Sequence, residues 1–357
     1  MRVDACRAVG QRTLAACLLP LLLAGAACGR RTEPANPPPR GGRPPNVVIV
    51  LVDTLRADRL GVNGYPLPTT PELDALAADG IDFTTFFSQS TWTKPSVATL
   101  FTSLYPAQHG AGTVAEEGVD GFVTDVLADD LVTIAERFRA AGYATVGVVN
   151  QVHLQPRYGF AQGFELYESR RGSNALKINQ LFREWLLDRP PTDERPMFAY
   201  LHYLDVHWPY TRRPQENPEA FGDIRMLSAP PIKGSAVPAW VAEGVEPADL
   251  RALEARYDRE VAYVDAAIGS LVRFLAAKGL LDETILVVTA DHGEGFLEHG
   301  RLEHSFDPFD EVTHIPLVIH WPQWRGARGI VVDSMAGLID LMPTLLDLAG
   351  LEPEPQA

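Results

Sequence analysis

The segment NVVIVLV, from Asn46 to Val52, carries no polar residue after its first position. A strand of that composition has no face to offer to water, so it belongs in the middle of a sheet covered on both sides. Comparable runs recur at ATVGVVN (Ala144 to Asn150), MFAYLHYL (Met197 to Leu204), TILVVTA (Thr284 to Ala290) and IPLVIHW (Ile315 to Trp321). Amphipathic helix candidates lie between and after them, at Pro71 to Ala78, Pro95 to Leu104, Val126 to Ala141, Leu176 to Leu187, Pro247 to Lys278 and Leu338 to Leu348. Strands alternating with helices predict an α/β fold, a mostly parallel central sheet flanked by helices on both faces. The stretch Thr211 to Glu246, rich in Pro, Gly and small residues, is too long for a plain connection and reads as a surface insertion.

With 357 residues, 46% of them hydrophobic, the chain can bury one large α/β core. Its formal net charge of -15, with no basic stripe carrying interleaved aromatics, argues against a nucleic-acid partner. An anionic small substrate stays compatible with that charge if a metal ion supplies local positive charge. The three cysteines, Cys6, Cys17 and Cys28, all fall near the N-terminus, so the rest of the chain has neither a disulfide framework nor a cysteine nucleophile. Arg2, Arg7 and Arg12 precede an apolar run from Leu14 to Ala27, the three-part pattern of a secretory signal over residues 1–27. That run is too short to span a bilayer comfortably. Gly25-Ala26-Ala27-Cys28 resembles a bacterial lipobox, with Gly where Leu is usual. The expectation is an exported lipoprotein anchored to a membrane through Cys28, periplasmic or on the cell surface, with ordinary signal cleavage as the alternative. Residues 28–45 then form a proline-rich, semi-rigid tether, and residues 46–357 form the folded domain.

Ligands of open parallel sheets collect at the carboxyl ends of the strands, which ranks polar residues there above polar residues elsewhere. Asp53 follows NVVIVLV directly, and Asp291 follows TILVVTA directly. An isolated aspartate after a strand is usually a turn or cap residue. Asp291, however, is followed by His292 and then by His299 and His304, and a carboxylate beside imidazoles is a donor set for a divalent transition metal.

Six ordered blocks, VIVLVDTLRADRLGVNGY, PELDALAADGIDF, TKPSVATLFTSLYPAQHG, FAYLHYLDVHWPY, VTADHGEGFLEHG and DEVTHIPLVI, resemble the sulfatase family of the alkaline phosphatase superfamily from about Asn46 onward. The resemblance implies a metal at the carboxyl ends of the central strands and an ester anion held between metal and nucleophile. The family usually continues beyond the point where this sequence ends, so its small C-terminal subdomain is expected to be absent. The family nucleophile begins a pattern Cys or Ser, any residue, Pro, Ser, Arg, and is oxidised to formylglycine. Here the pattern reads Thr93-Lys94-Pro95-Ser96-Val97, without a formylglycine precursor and without the arginine. A second family signature places a lysine after the next strand, where GYATVGVVNQVHLQ offers Asn150 or Gln151.

Threonine at the nucleophile position resembles lipoteichoic acid synthase, phosphoethanolamine transferases and nucleotide pyrophosphatase/phosphodiesterases. In those relatives the threonine takes a phosphoryl group, which water or an acceptor alcohol then removes, and a divalent ion favours both the lowered hydroxyl pKa and the transfer. The resemblance implies Asp53, Thr93, Asp291 and His292 as metal ligands and Thr93 as nucleophile, with His207 and His304 touching the ester anion and leaving group. Thr54 and His292 favour manganese or zinc, with calcium and magnesium as alternatives. Arg56 either steadies the turn after the first strand or binds an anion. A second metal would require His202, Asp205, His207 and His299 to cluster. The expected function is a metal-dependent hydrolase or transferase of phosphate esters or diesters of the cell envelope or environment. The alternatives are a sulfatase working without formylglycine and a catalytically dead metal-binding homologue.

Overall fold

The computed structural model describes residues 42–112, 126–210 and 237–352. The expected signal segment, Cys28 and most of the tether lie outside the described residues, as do residues 211–236 of the expected insertion. The described end of that insertion contains a short helix, Val237–Glu243. No helix among the described residues is long and apolar enough to cross a membrane.

Eight strands form the main sheet: β1 Asn46–Val52, β2 Ile81–Phe83, β3 Ala144–Val149, β4 Leu166–Ser169, β5 Met197–Tyr203, β6 Thr284–Thr289, β7 Leu317–His320 and β8 Ile330–Val332. Their order across the sheet is β8-β2-β7-β6-β1-β5-β3-β4. β1 pairs in parallel with both β5 and β6, and only β7 runs against its two neighbours. Successive strand residues point to opposite faces. All seven residues of β1 and all seven of β5 are buried, so the sheet is covered on both sides, as the apolar runs predict.

The covering helices are α1 Pro71–Ala78, α2 Thr93–Thr102, α3 Ile134–Ala140, α4 Ala175–Asp188, α5 Pro247–Ala277 and α6 Leu341–Leu348. They pack in two groups, α1 and α4 against α5, and α3 and α6 against α2. Within the first group Asp265 of α5 accepts the Glu72 and Leu73 amides at 3.0 and 2.8 Å, capping α1 from outside its own sequence; such a cap is worth about 1 kcal/mol. In the second, Phe138 of α3 stacks on Phe198 of β5 at 4.6 Å, and truncating it to alanine would cost roughly 3–5 kcal/mol.

The helix expected over Val126 to Ala141 begins only at Ile134. The Thr133 hydroxyl accepts the Glu136 amide while Glu136 accepts the Thr133 amide, a reciprocal cap that sets the start there. In contrast α2 starts two residues before the expected Pro95, which makes Thr93 its first residue, and ends at Thr102, followed by Ser103 with φ +57°. Strands β2, β4 and β8 have three or four residues each, too few for a periodic signal.

Candidate active site at the strand ends

Four adjacent strands deliver the site. β6, β1, β5 and β3 run parallel and side by side, and their carboxyl ends carry Asp291 with His292, Asp53, His202 with His207, and Gln151 respectively. Thr93 approaches from the N-terminus of α2. There the helix leaves amide groups without intrahelical partners, an environment that favours negative charge.

Asp53, Asp291 and His292 are fully buried, and each offers one donor atom within 4.8 Å of the other two. His292 Nε2 lies 3.6 Å from Asp53 Oδ1 and 3.5 Å from Asp291 Oδ2. Those carboxylate oxygens are buried without a hydrogen-bond partner. The Nδ1 of His292 is 2.9 Å from the Gly293 carbonyl, which can only accept, so Nδ1 carries the proton and Nε2 presents its lone pair. Burial, with a smaller contribution from His304, lowers the His292 pKa to about 3 and keeps the ring neutral. A lone pair facing two orphaned carboxylate oxygens is repulsive unless a cation lies among them. The spacing fits one, because donors about 2.1 Å from a tetrahedral ion stand about 3.4 Å apart.

The Thr93 hydroxyl sits on the edge of this group, 3.4 Å from Asp53 Oδ2 and 3.5 Å from His292 Nε2. Of Asn150 and Gln151, it is Gln151 that reaches Asp53 and Thr93. Its amide donates to Asp53 Oδ2 at 2.9 Å and lies 3.4 Å from the Thr93 hydroxyl. Asn150 turns away to the loop at Gly172 and Ser173. Lys94, next to the hydroxyl in sequence, is buried with its ammonium over the Tyr158 ring at 4.1 Å.

The loop bearing His292 is held by backbone pairing of Gly293 with Val312 and of Glu294 with Glu311. A Cβ on Gly293 would come within 2.1 Å of the Glu311 carbonyl, so only glycine fits there. Across the site, Thr54 has φ +62°, a conformation that strains a β-branched residue. The Tyr257 hydroxyl holds that turn by donating to the Thr54 carbonyl at 2.7 Å and accepting from the Arg56 amide at 2.9 Å. Arg56 itself forks onto Asp58 and reaches the Glu294 carbonyl and the Glu298 carboxylate. It therefore steadies the turn rather than facing an anion.

His304 and His207 face each other with ring centroids 5.0 Å apart, and His304 also lies 4.3 Å from His292. Both line a cleft of about 380 Å³ that opens over Thr93, with His153 and Arg171 on its walls. The Nδ1 of His304 donates to Glu294 Oε1 at 2.9 Å, and Tyr210 donates to Glu294 Oε2 at 2.7 Å. Burial alone would lower the His304 pKa, but the Glu294 charge and hydrogen bond, helped by Asp53 and Asp291, raise it to about 9. Sequence reasoning passed over Glu294 and Tyr210. The four residues considered for a second metal do not gather. Asp205 caps α4 through the Ala175 amide, His299 stacks on Phe309 at 3.5 Å, His202 lies against Asp53, and His207 stays beside His304.

A family model described as Sulfatase matches residues 45–351. The chain is 26% identical to the ulvan-active sulfatase of Formosa agariphila, over 86% of this chain and 62% of that protein. It is also 26% identical to N-acetylgalactosamine-6-sulfatase of Mus musculus, over 98% of this chain and 68% of the other. Among solved structures, the phosphonate monoester hydrolase of Agrobacterium radiobacter superposes with a TM-score of 0.66 at 24% identity, covering 87% of this chain and 74% of its own. At that identity the likeness is one of fold.

Proposed function

The chain belongs to the sulfatase family, and on that premise we propose that it breaks phosphate esters or diesters through Thr93, passing the phosphoryl group to water or to an acceptor alcohol. The observation that carries this reading is the Thr93 hydroxyl, 3.4 Å from Asp53 and 3.5 Å from His292 at the N-terminus of α2. Asp53, Asp291 and His292, with the Thr93 oxygen, would hold a divalent ion, manganese or zinc by the nitrogen donor. Bound there, the ion would lower the hydroxyl pKa and offset charge on the transferring group.

In this reading the Thr93 hydroxyl passes its proton to Asp53 Oδ2, the acceptor it faces, and regains it when Thr93 is displaced; between those points its oxygen forms a bond to phosphorus while the bond to the leaving oxygen breaks. Glu294 holds the His304 ring so that its other nitrogen can deliver a proton to that leaving oxygen. A water or alcohol, deprotonated in turn by His304, then displaces Thr93 and regenerates its hydroxyl. Thr93 is no precursor of formylglycine, and a sulfate ester of threonine lacks the elimination route by which a formylglycine hydrate sheds sulfate. Val97 stands where the sulfate-handling pattern has an arginine, and the neutral Asn150 or Gln151 where it has a lysine. These substitutions favour phosphorus over sulfur.

The test is a panel of aryl phosphate monoesters, phosphodiesters and sulfates assayed with manganese, zinc and calcium. Sulfate turnover exceeding phosphoester turnover would overturn the preference, and stoichiometric metal without turnover on any ester would indicate a dead homologue. The N-terminal pattern ending at Cys28 supports a lipid anchor on an exported protein. Cys28→Ser should abolish lipid labelling, and a wild-type protein whose mature chain starts elsewhere would exclude that anchor.

A further inference from the structure

Arg171 lies on the wall of the cleft that opens over Thr93, in the turn that follows the edge strand β4. The turn is fastened on both sides of it. The Arg170 amide donates to the Val149 carbonyl at 2.8 Å, and the buried Asn150 accepts the Gly172 amide at 2.7 Å and donates to the Ser173 carbonyl. Arg170 pairs with Glu168 at 2.8 Å, whereas Arg171 has no hydrogen bond or ion pair among the described residues. An unpaired arginine on an open surface would say little. This one borders a cleft in which none of the described lining residues is Asp or Glu, in a chain with 46 acidic residues against 31 Lys and Arg. Among those lining residues Arg171 is also the only Lys or Arg, so the fixed charge on the walls is positive. Its strand stands three places from β1 and four from β6, the strands followed by Asp53 and Asp291; at about 4.8 Å per strand that is a lateral offset of roughly 14 Å or more. An arginine rooted that far along the cleft serves the part of a bound molecule beyond the ester that Thr93 would attack.

We propose that Arg171 is a specificity residue that binds a second negative group on the substrate, an oxyanion carried by the esterified alcohol. The inference rests on the reading of the cleft as a phosphoester site built on Thr93. A guanidinium presents a planar fork of N–H donors that pairs two oxygens of a carboxylate, sulfate or phosphate at once, which an ammonium does not. The substrate class is thereby narrowed to esters whose alcohol is itself anionic.

Calorimetric titration of Thr93→Ala protein, which should bind esters without turning them over, reads affinity alone. Carboxyphenyl or sulfophenyl phosphate should bind roughly tenfold more tightly than the neutral carbamoylphenyl phosphate, which matches the carboxylate in size. Arg171 is exposed, so its variants should fold. Adding Arg171→Gln should erase the preference while carbamoylphenyl phosphate binding changes far less, and Arg171→Lys should keep part of it. Equal affinity for the three esters in the Thr93→Ala protein, or a preference that survives Arg171→Gln, overturns the proposal. A preference that depends on Arg171, in a protein whose wild type turns over no phosphate ester, supports Arg171 as the anion-binding group and overturns the phosphoester reading instead.

Discussion

Gln151 places its amide nitrogen 2.9 Å from Asp53 Oδ2 and 3.4 Å from the Thr93 hydroxyl, so one neutral side chain touches both the carboxylate and the oxygen that faces it. A donor in that place orients Asp53 without adding charge. Gln151→Leu is expected to lower turnover by roughly 10- to 100-fold, as loss of a partner to a metal-facing carboxylate does. Steady-state rates at saturating metal check this, and a wild-type rate in Gln151→Leu would show that Asp53 needs no such support.

Tyr210, Glu294 and His304 form a chain of hydrogen bonds that leaves one ring nitrogen of His304 for the cleft. If His304 protonates the leaving oxygen, its loss matters most where that oxygen would depart as a strongly basic alkoxide. Glu294→Gln should therefore slow alkyl esters about 100-fold and nitrophenyl esters far less, steepening the dependence of rate on leaving-group pKa. An equal loss across all leaving groups would assign the chain a structural role.

The strand-end aspartates were legible because each directly follows a long apolar run, and a long run identifies its own end. Glu294 was not legible, since its meaning lies in Tyr210, 84 positions earlier in the sequence. His202 read as one residue of a buried strand, and its orphaned nitrogens emerge only where β5 lies beside β1. The choice between Asn150 and Gln151 required the direction in which the chain leaves β3. His299, adjacent in sequence to the site, faces Glu311 and Phe309 instead, because the turn at Leu297 and Gly300 carries it outward.

His109 gives the fold an acid-sensitive point away from the strand ends. Its Nδ1 accepts the Ala111 amide at 3.1 Å, and its Nε2 donates to the Thr99 hydroxyl at 3.1 Å, an arrangement that requires the neutral ring. Burial lowers its pKa from 6.5 to about 4. The unfolded chain therefore takes up a proton before the folded chain does, and stability falls as pH drops from about 6.5 toward 4. The slope from one such group is at most about 1.4 kcal/mol per pH unit. Denaturation midpoints of wild type and His109→Gln, compared at pH 7 and pH 5, should show the smaller acid loss in the variant; parallel losses would exclude His109 as a source.

Thr93 is the position on which the proposed chemistry turns. Its hydroxyl meets Asp53 and His292 and stands on the first residue of α2, so a bound cation and the helix terminus would both favour negative charge on its oxygen. Thr93→Ala should cost at least about three orders of magnitude in turnover while the fold persists, since the side chain is small and stands at the first turn of its helix. Thr93→Ser keeps the oxygen and should retain partial activity. Mass spectrometry of protein quenched during turnover should find the phosphoryl group on the peptide containing Thr93, and the adduct should vanish in Thr93→Ala. Thr93→Cys separates the two chemistries further: with Val97 in place of the arginine and the second lysine missing, even a correctly oxidised formylglycine should remain a poor sulfatase. Wild-type sulfatase activity that survives Thr93→Ala would remove both the nucleophile and the preference for phosphorus.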